Sequence, residues 1–258
     1  MTDNPDAVIE FRRPDGQILA YADYGDPHGF PVLVQHGLIA SIGDGSLFRR
    51  LTAHGRRVIC LARPGYGRST PAALPNLAAW ARWVHPLLDY LQLESFDLLG
   101  LSSGAPYAYA LAWGCAQQAR AVHIFSGMPA LDDPAVRAAW PYPLTPEADL
   151  PELQALAREL FFSGIAPGDP VSADVRDAMA NDCFGVALDL QLRARSWGFS
   201  LAEVRQPVRL SHCRTDDSVP FRTAELSAAL LPNARLEIHT GGHFSAALLD
   251  DFLAGMLG

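Results

Sequence analysis

Gly100-Leu-Ser-Ser-Gly104 has the residue types and spacing for nucleophilic chemistry. The apolar residues Leu98 and Leu99 lead into it, and a run of good helix formers, Tyr107 to Trp113, follows. That order predicts a strand, a sharp turn and a helix. Gly100 and Gly104 remove the Cβ atoms that would crowd such a turn, and Pro106 suits a first helical turn, where its missing N–H has no intrahelical partner. Ser102 is then exposed above the strand end, with the N–H groups of the helix start directed at whatever it attacks.

A serine hydroxyl needs a base, and the base needs an orienting group. Both are sought just after other apolar runs, because reactive groups in doubly wound sheets gather at the carboxyl ends of strands. Asp216, in Arg214-Thr-Asp-Asp-Ser-Val-Pro220, follows one such run and has the chemistry to hold a histidine in its working tautomer; Asp217 is a rival by adjacency. A turn or N-cap aspartate is the ordinary alternative. His243, in Thr240-Gly-Gly-His-Phe244, follows the last apolar run, and two glycines allow a tight turn back over the sheet. A surface histidine would have the same spacing, and His239 is a weaker candidate base. His36, His85, His123 and His212 read as structural. The backbone N–H of Leu38, in His36-Gly37-Leu38, is placed to pair with that of Ser103 around an oxyanion; a plain strand-end turn is its alternative. Ser102, Asp216 and His243 occur in the order Ser…Asp…His, which suits a nucleophile elbow. The first gap has room for an inserted lid and the second for one helix and one strand.

The elements that must position these residues follow from periodicity. Val8-Arg12 and Ile18-Tyr24 read as strands joined at Pro14-Asp15-Gly16. Val32-Gln35 and Arg57-Ala62 are buried strands, with a helix expected over Ser46 to His54 between them. Apolar residues at 77, 80, 84, 87, 88 and 91 have helical spacing, and Pro86 should kink or split that helix. The elbow strand, its helix and the strand Val122-Phe125 complete a βα alternation that predicts a mostly parallel sheet with helices on both faces. From Met128 to about Ser200 the patterns are helical. Leu150, Leu153, Ala157, Leu160 and Phe161 share a face, and Val186 to Leu192 is read as helix although its alternation also fits a strand. Strand Val208-Cys213, a helix near Arg222-Leu231, strand Arg235-Thr240 and a helix from Phe244 to about Leu257 restore the rhythm. The expected organisation is a core of residues 1–127 and 201–258 with a helical cap, or lid, at 128–200.

The 258 residues are 49% hydrophobic, ample for a core, and carry a formal net charge of −8. An acidic chain disfavours nucleic acid and anionic membranes as partners. All 20 basic residues are arginine, so Schiff-base chemistry and a P-loop are excluded. No apolar run reaches the roughly 18 residues of a membrane span, and the acidic N-terminus lacks a signal-peptide pattern, so a cytoplasmic location is expected. Cys60, Cys115, Cys183 and Cys213 have no CxxC spacing and read as buried free thiols, with no metal and no cofactor implied.

On His36-Gly37, Arg63-Pro-Gly-Tyr-Gly-Arg-Ser69, Gly100-Leu-Ser-Ser-Gly104, Asp216-x-x-Val-Pro220 and Gly241-Gly-His243 the chain resembles the α/β-hydrolase superfamily from about residue 8 to 257. It is similar in particular to capped bacterial esterases and peptidase-like hydrolases, including Trp197-Gly-Phe199 before the last αβ units. The resemblance implies Ser102 as nucleophile, His243 as base, Asp216 as its orienting acid, and Leu38 and Ser103 N–H groups as oxyanion donors. It also implies a small or medium apolar acyl or leaving group. Of the cap aromatics, Trp140, Phe161, Phe184 and Trp197 are the expected substrate contacts. The partner is a small ester-like molecule, with the protein a monomer or homodimer. Cleavage of a C–C bond or a lactone by the same triad, or a slow-turnover ligand receptor, are the alternative readings. A serine at the elbow, rather than a carboxylate, sets aside haloalkane dehalogenase and epoxide hydrolase chemistry. Ala62 stands where the family usually has aspartate, which is expected to loosen the following loop, and the segment after Gly37 lacks the usual glycine or proline.

Overall fold

Runs such as Val32-Leu-Val34 and Val58-Ile-Cys-Leu61 are apolar at every position, the pattern of strands covered on both faces. In a computed structural model, which describes residues 7–166 and 168–257, they lie at the centre of an eight-stranded sheet. The strands are β1 (Val8–Arg12), β2 (Ile18–Gly25), β3 (Pro31–Gln35), β4 (Arg57–Leu61), β5 (Phe96–Leu101), β6 (Ala119–Phe125), β7 (Val208–Cys213) and β8 (Ala234–His239). Their order is β1-β2-β4-β3-β5-β6-β7-β8. β2 pairs antiparallel with β1 and β4, and every other pairing is parallel.

Successive side chains of a strand point to opposite faces, so the sheet divides the core in two. Leu33, Ile59, Leu61 and Leu98 join one buried cluster; Val32, Val34, Val58, Cys60 and Leu99 join the other. The helices are α1 (Arg49–Thr52), α2 (Ala78–Tyr90), α3 (Ala105–Gly114), α4 (Pro134–Ala138), α5 (Leu150–Phe162), α6 (Ala173–Ala194), α7 (Phe221–Ala229) and α8 (Ala246–Ala254). α2 and α3 fill the first cluster, and α1 and α8 close the second. All four cysteines are free and buried. Among the described residues no helix is long and apolar enough to cross a membrane.

Among the described residues between β6 and β7 the chain forms α4, α5 and α6 and no strand. Val186 to Leu192 is helical, and most of its side chains are buried. α6 is broken by positive φ angles at Asn181, Asp182 and Cys183. Asn181 Nδ2 donates to the Gly65 carbonyl at 3.0 Å, and the Asp182 carbonyl accepts from Gln154 at 2.8 Å, so polar groups freed by the break find partners. Beyond the break, Val186, Leu188 and Leu192 of α6 are buried in the core.

Three local expectations differ. Over Ser46–His54 the chain forms a 3-10 turn, Gly45–Phe48, capped by Asp44, and then only the short α1; Gly55, at φ +73°, ends the segment. α2 runs unbroken through Pro86: the missing N–H frees one carbonyl, that of the exposed Arg82, where water can satisfy it. On α5, Leu153, Ala157 and Phe162 are buried, whereas Leu160 and Phe161 turn toward a cavity.

His123 on β6 is held neutral: burial, with Arg209 and Arg56 nearby, lowers its pKa from the usual 6.5 to about 4. The unfolded chain takes up that proton first as pH falls, so folding stability is complete above pH 6.5 and is lost between there and about pH 4, at up to about 1.4 kcal/mol per unit. Urea unfolding at several pH values is expected to show this slope, and His123→Leu to reduce it.

Candidate active site

β5 delivers Ser102 into a short 3-10 turn, Ser102–Gly104, from which α3 starts. Ser102 itself has φ +48°, a left-handed conformation that a non-glycine residue keeps only where its surroundings hold it. The Met128 N–H donates to its carbonyl at 2.9 Å, tying the turn to the end of β6. A Cβ at Gly104 would overlap the Gln35 carbonyl, and one at Gly100 would press on the Ala105 Cα at 2.9 Å. These glycines let the nucleophile turn sit against β3 and α3.

Ser102 Oγ lies 2.9 Å from His243 Nε2. The other ring nitrogen, Nδ1, is 2.8 Å from Asp216 Oδ2 and 3.1 Å from Oδ1. Asp216 is fixed in turn: its Oδ1 accepts the N–H groups of Ser218 at 2.9 Å and Val219 at 2.8 Å. Burial pushes its carboxyl pKa up, but the His243 hydrogen bond and the two backbone donors outweigh that and hold it below the usual carboxylate value. His212 Nε2 lies 2.9 Å from the Val219 carbonyl and 3.3 Å from Asp216 Oδ2. Burial lowers its pKa, so it braces the loop as a neutral donor. Asp217 faces elsewhere, accepting the Ser218 hydroxyl at 3.2 Å, and its carbonyl accepts Tyr142 Oη at 2.8 Å. Thr215 Oγ1 donates to the Gly241 carbonyl at 2.9 Å and joins the aspartate and histidine loops. The structure thus brings Asp216 and His243 to Ser102, and not Asp217 or His239.

The loop after β3 is held through its carbonyls. Arg63 donates to the His36 carbonyl at 2.6 Å and the Gly37 carbonyl at 2.9 Å, and Tyr66 Oη donates to the Leu38 carbonyl at 2.8 Å. Across a trans peptide the Leu38 N–H points opposite to the Gly37 carbonyl, and Leu38 lines the cavity above Ser102. The Ser103 N–H lies in the first turn of its helix, where no intrahelical acceptor exists.

Arg63 and Asp189 are the site residues that sequence reasoning missed. Their side chains are 0% and 4% exposed and meet through two hydrogen bonds, Nε–Oδ1 at 3.0 Å and Nη2–Oδ2 at 2.5 Å. The Tyr107 hydroxyl donates to the same carboxylate at 2.6 Å, the Tyr66 hydroxyl, its one proton shared with the Leu38 carbonyl, lies 3.0 Å from it, and both rings lie against the guanidinium. Burial alone would lower the Arg63 pKa; Asp189 overrides it and holds the pKa above the ordinary value. The signal in the sequence was an acid inside the apolar run Val186 to Leu192, where an unpaired carboxylate would not be tolerated. The loop after Ala62 is accordingly pinned, not loosened: besides the Arg63 bonds, Ser69 Oγ donates to the Ala62 carbonyl at 2.7 Å.

A cavity of about 1360 Å³ opens over Ser102 and His243, larger than the 300–1,000 Å³ usual for small-molecule sites. Trp140 and Phe161 line it. Phe184 and Trp197 do not: Phe184 packs on the Gly65 backbone, and Trp197, 0% exposed, sits in the core near Tyr109 and Phe199. Both belong to segments where the insert packs into the core, so burial claimed them first. Ser126, at φ +48° after β6, also lines the cavity with a buried hydroxyl that has no partner among the described residues. Among those residues no three His, Cys, Asp or Glu side chains gather as metal ligands.

Residues 31–247 match the family described as alpha/beta hydrolase fold. The chain belongs to that family. It is 34% identical over 200 residues to a pimeloyl-[acyl-carrier protein] methyl ester esterase of Aromatoleum aromaticum, covering 70% of this chain and 78% of that one. Over 92 residues it is 36% identical to the uncharacterized hydrolase YcgS of Bacillus subtilis, a match spanning 36% of this chain but only 32% of that relative. Among solved structures, an esterase from Exiguobacterium antarcticum superposes with a TM-score of 0.76 at 20% identity, covering 96% of this chain and 98% of that one. As an alpha/beta hydrolase the chain holds Ser102, Asp216 and His243 just past the ends of β5, β7 and β8.

Asp189→Ala would leave the Arg63 guanidinium buried without its counter-charge, and is expected to cost about 3–5 kcal/mol in urea unfolding. The double replacement Arg63→Met/Asp189→Leu, which removes both charges, is expected to recover at least about 2 kcal/mol of that loss. Equal destabilisation by both would show that the charge pair is not what holds the loop.

Proposed function

We propose that the protein is a serine hydrolase that cleaves a small ester-like substrate through an acyl-enzyme on Ser102. The observation that carries this reading is the line from Ser102 Oγ through the His243 ring to Asp216, with contacts of 2.9 and 2.8 Å. His243 Nε2 takes the hydroxyl proton as Oγ bonds to the carbonyl carbon. The negative charge that develops on the carbonyl oxygen is met by the Leu38 and Ser103 N–H groups, each such donor contributing on the order of 3 kcal/mol to the barrier. The tetrahedral intermediate collapses as His243 returns the proton to the leaving alkoxide, which departs as the alcohol. Water, giving a proton to His243, then attacks the acyl-enzyme; the acid leaves and Ser102 regains its proton.

Asp216 holds the Nδ1 proton in place and stabilises the imidazolium that forms twice in the cycle. Its lowered pKa keeps it charged while it does so. The methyl ester esterase among the relatives supports an ester as the substrate type.

Ser102→Ala is expected to lower kcat on a chromogenic ester by about 10⁴-fold or more and to abolish labelling by a fluorophosphonate. Activity within tenfold of the wild type would sink the assignment of the nucleophile.

A further inference from the structure

One charged group facing the cavity is not used by any step above. Arg193 lies near the end of α6, four residues after Asp189, and lines the same cavity as Ser102 and His243. Its Nε is buried and without a hydrogen-bond partner, and no carboxylate reaches the guanidinium within ion-pair distance among the described residues. The nearest acid on its own helix face, Asp189, is already taken up by Arg63: Oδ1 accepts Arg63 Nε and Tyr107 Oη, and Oδ2 accepts Arg63 Nη2, with the shared Tyr66 hydroxyl 3.0 Å away. Two guanidiniums thus share one carboxylate, and one positive charge is left over.

The other ionisable groups on the cavity wall are engaged. Asp44 caps its 3-10 turn, Asp174 accepts the Ser41 N–H at 2.6 Å, Arg176 pairs with Asp177, and Asp217 accepts the Ser218 hydroxyl. His36 is held neutral by burial and the nearby Arg63. Burial likewise pushes the Arg193 pKa below its ordinary value, and the attraction of Asp189 offsets this only in part.

We propose that Arg193 is a specificity-determining residue that binds a carboxylate on the substrate, separated by an apolar chain from the ester that Ser102 attacks. The wall between supplies the apolar part, with Leu156, Leu160, Phe161, Leu190 and Trp140. A guanidinium offers a carboxylate two parallel hydrogen bonds. A single unpaired cation matches one negative charge; a phosphate dianion would bring a second charge with no partner into an apolar cavity. The inference takes from the proposed function only that the scissile group is an ester. Anion binding at Arg193 stands or falls separately.

Two measurements test it. The first compares 4-nitrophenyl octanoate with 4-nitrophenyl hydrogen suberate, whose chains differ in a terminal methyl against a carboxylate, and with shorter and longer homologues. At the best length the wild type is expected to favour the acid in kcat/KM by about tenfold or more, Arg193→Met to abolish that ratio, and Arg193→Lys to keep part of it. A ratio that is the same in wild type and Arg193→Met at every length overturns the proposal. The second needs no turnover: calorimetry of monomethyl suberate with Ser102→Ala and with Ser102→Ala/Arg193→Met, whose thermal unfolding is compared to confirm a folded protein. Binding about tenfold weaker in the double variant supports the proposal even if no ester is hydrolysed, in which case the hydrolase reading alone fails. Equal binding overturns the proposal even if both esters are good substrates.

Discussion

The buried pair of Arg63 and Asp189 is the contact on which the rest of the site depends. It joins the loop after β4, the loop after β3, the elbow helix α3 through Tyr107, and the inserted helix α6. A charge pair without exposure is a poor source of net stability, since desolvation offsets most of its attraction. Its value here is positional. Arg63 takes up two successive carbonyls of the His36-Gly37 segment, and peptide planarity then fixes where the next N–H must point. The direction of the Leu38 N–H is thus set by an ion pair beneath it, in a loop that lacks the glycine or proline expected to shape it.

The same logic of over-determination holds Ser102. Ser102 occupies a left-handed conformation at the end of a parallel strand, and the Met128 N–H, the strand β3 and the helix α3 close around it. Asp216 receives two backbone donors, the His243 ring and the neighbouring neutral His212. Strain and desolvation at these two residues are carried by a sheet whose central strands are buried on both faces. Ser102, Asp216 and His243 are consequently each held by contacts within the protein itself, the preorganisation that the proposed chemistry requires.

The insert between β6 and β7 does two jobs with one helix. The second half of α6 buries Val186, Leu188 and Leu192 in the core and sends Asp189 to Arg63, while Leu190 and Arg193 face the cavity. Leu188 and Leu192, four apart, share the side turned to the core, and Leu190 and Arg193, three apart, share the side turned to the cavity, with Asp189 at the border between them. The insert is in this way continuous with the core on one side and lines the cavity on the other.

The α/β architecture, the inserted helical stretch and the identity of Ser102, Asp216 and His243 as the groups that meet were legible in the sequence, because each rests on a local rule. Apolar runs, Gly-x-Ser-x-Gly and polar residues just past strand ends depend on neighbours a few positions away. Which aspartate of Asp216-Asp217 faces the imidazole, why α2 tolerates Pro86, and which cap aromatics line the cavity were decided only by packing between distant segments. Phe184 and Trp197 have the composition of pocket residues, yet core burial took them. Arg63, Asp189 and Arg193 look alike in the sequence, as charges near apolar residues. Only the tertiary structure pairs the first two and leaves the third without an ion-pair partner among the described residues, because charge balance inside a protein is settled by distances that no linear spacing encodes.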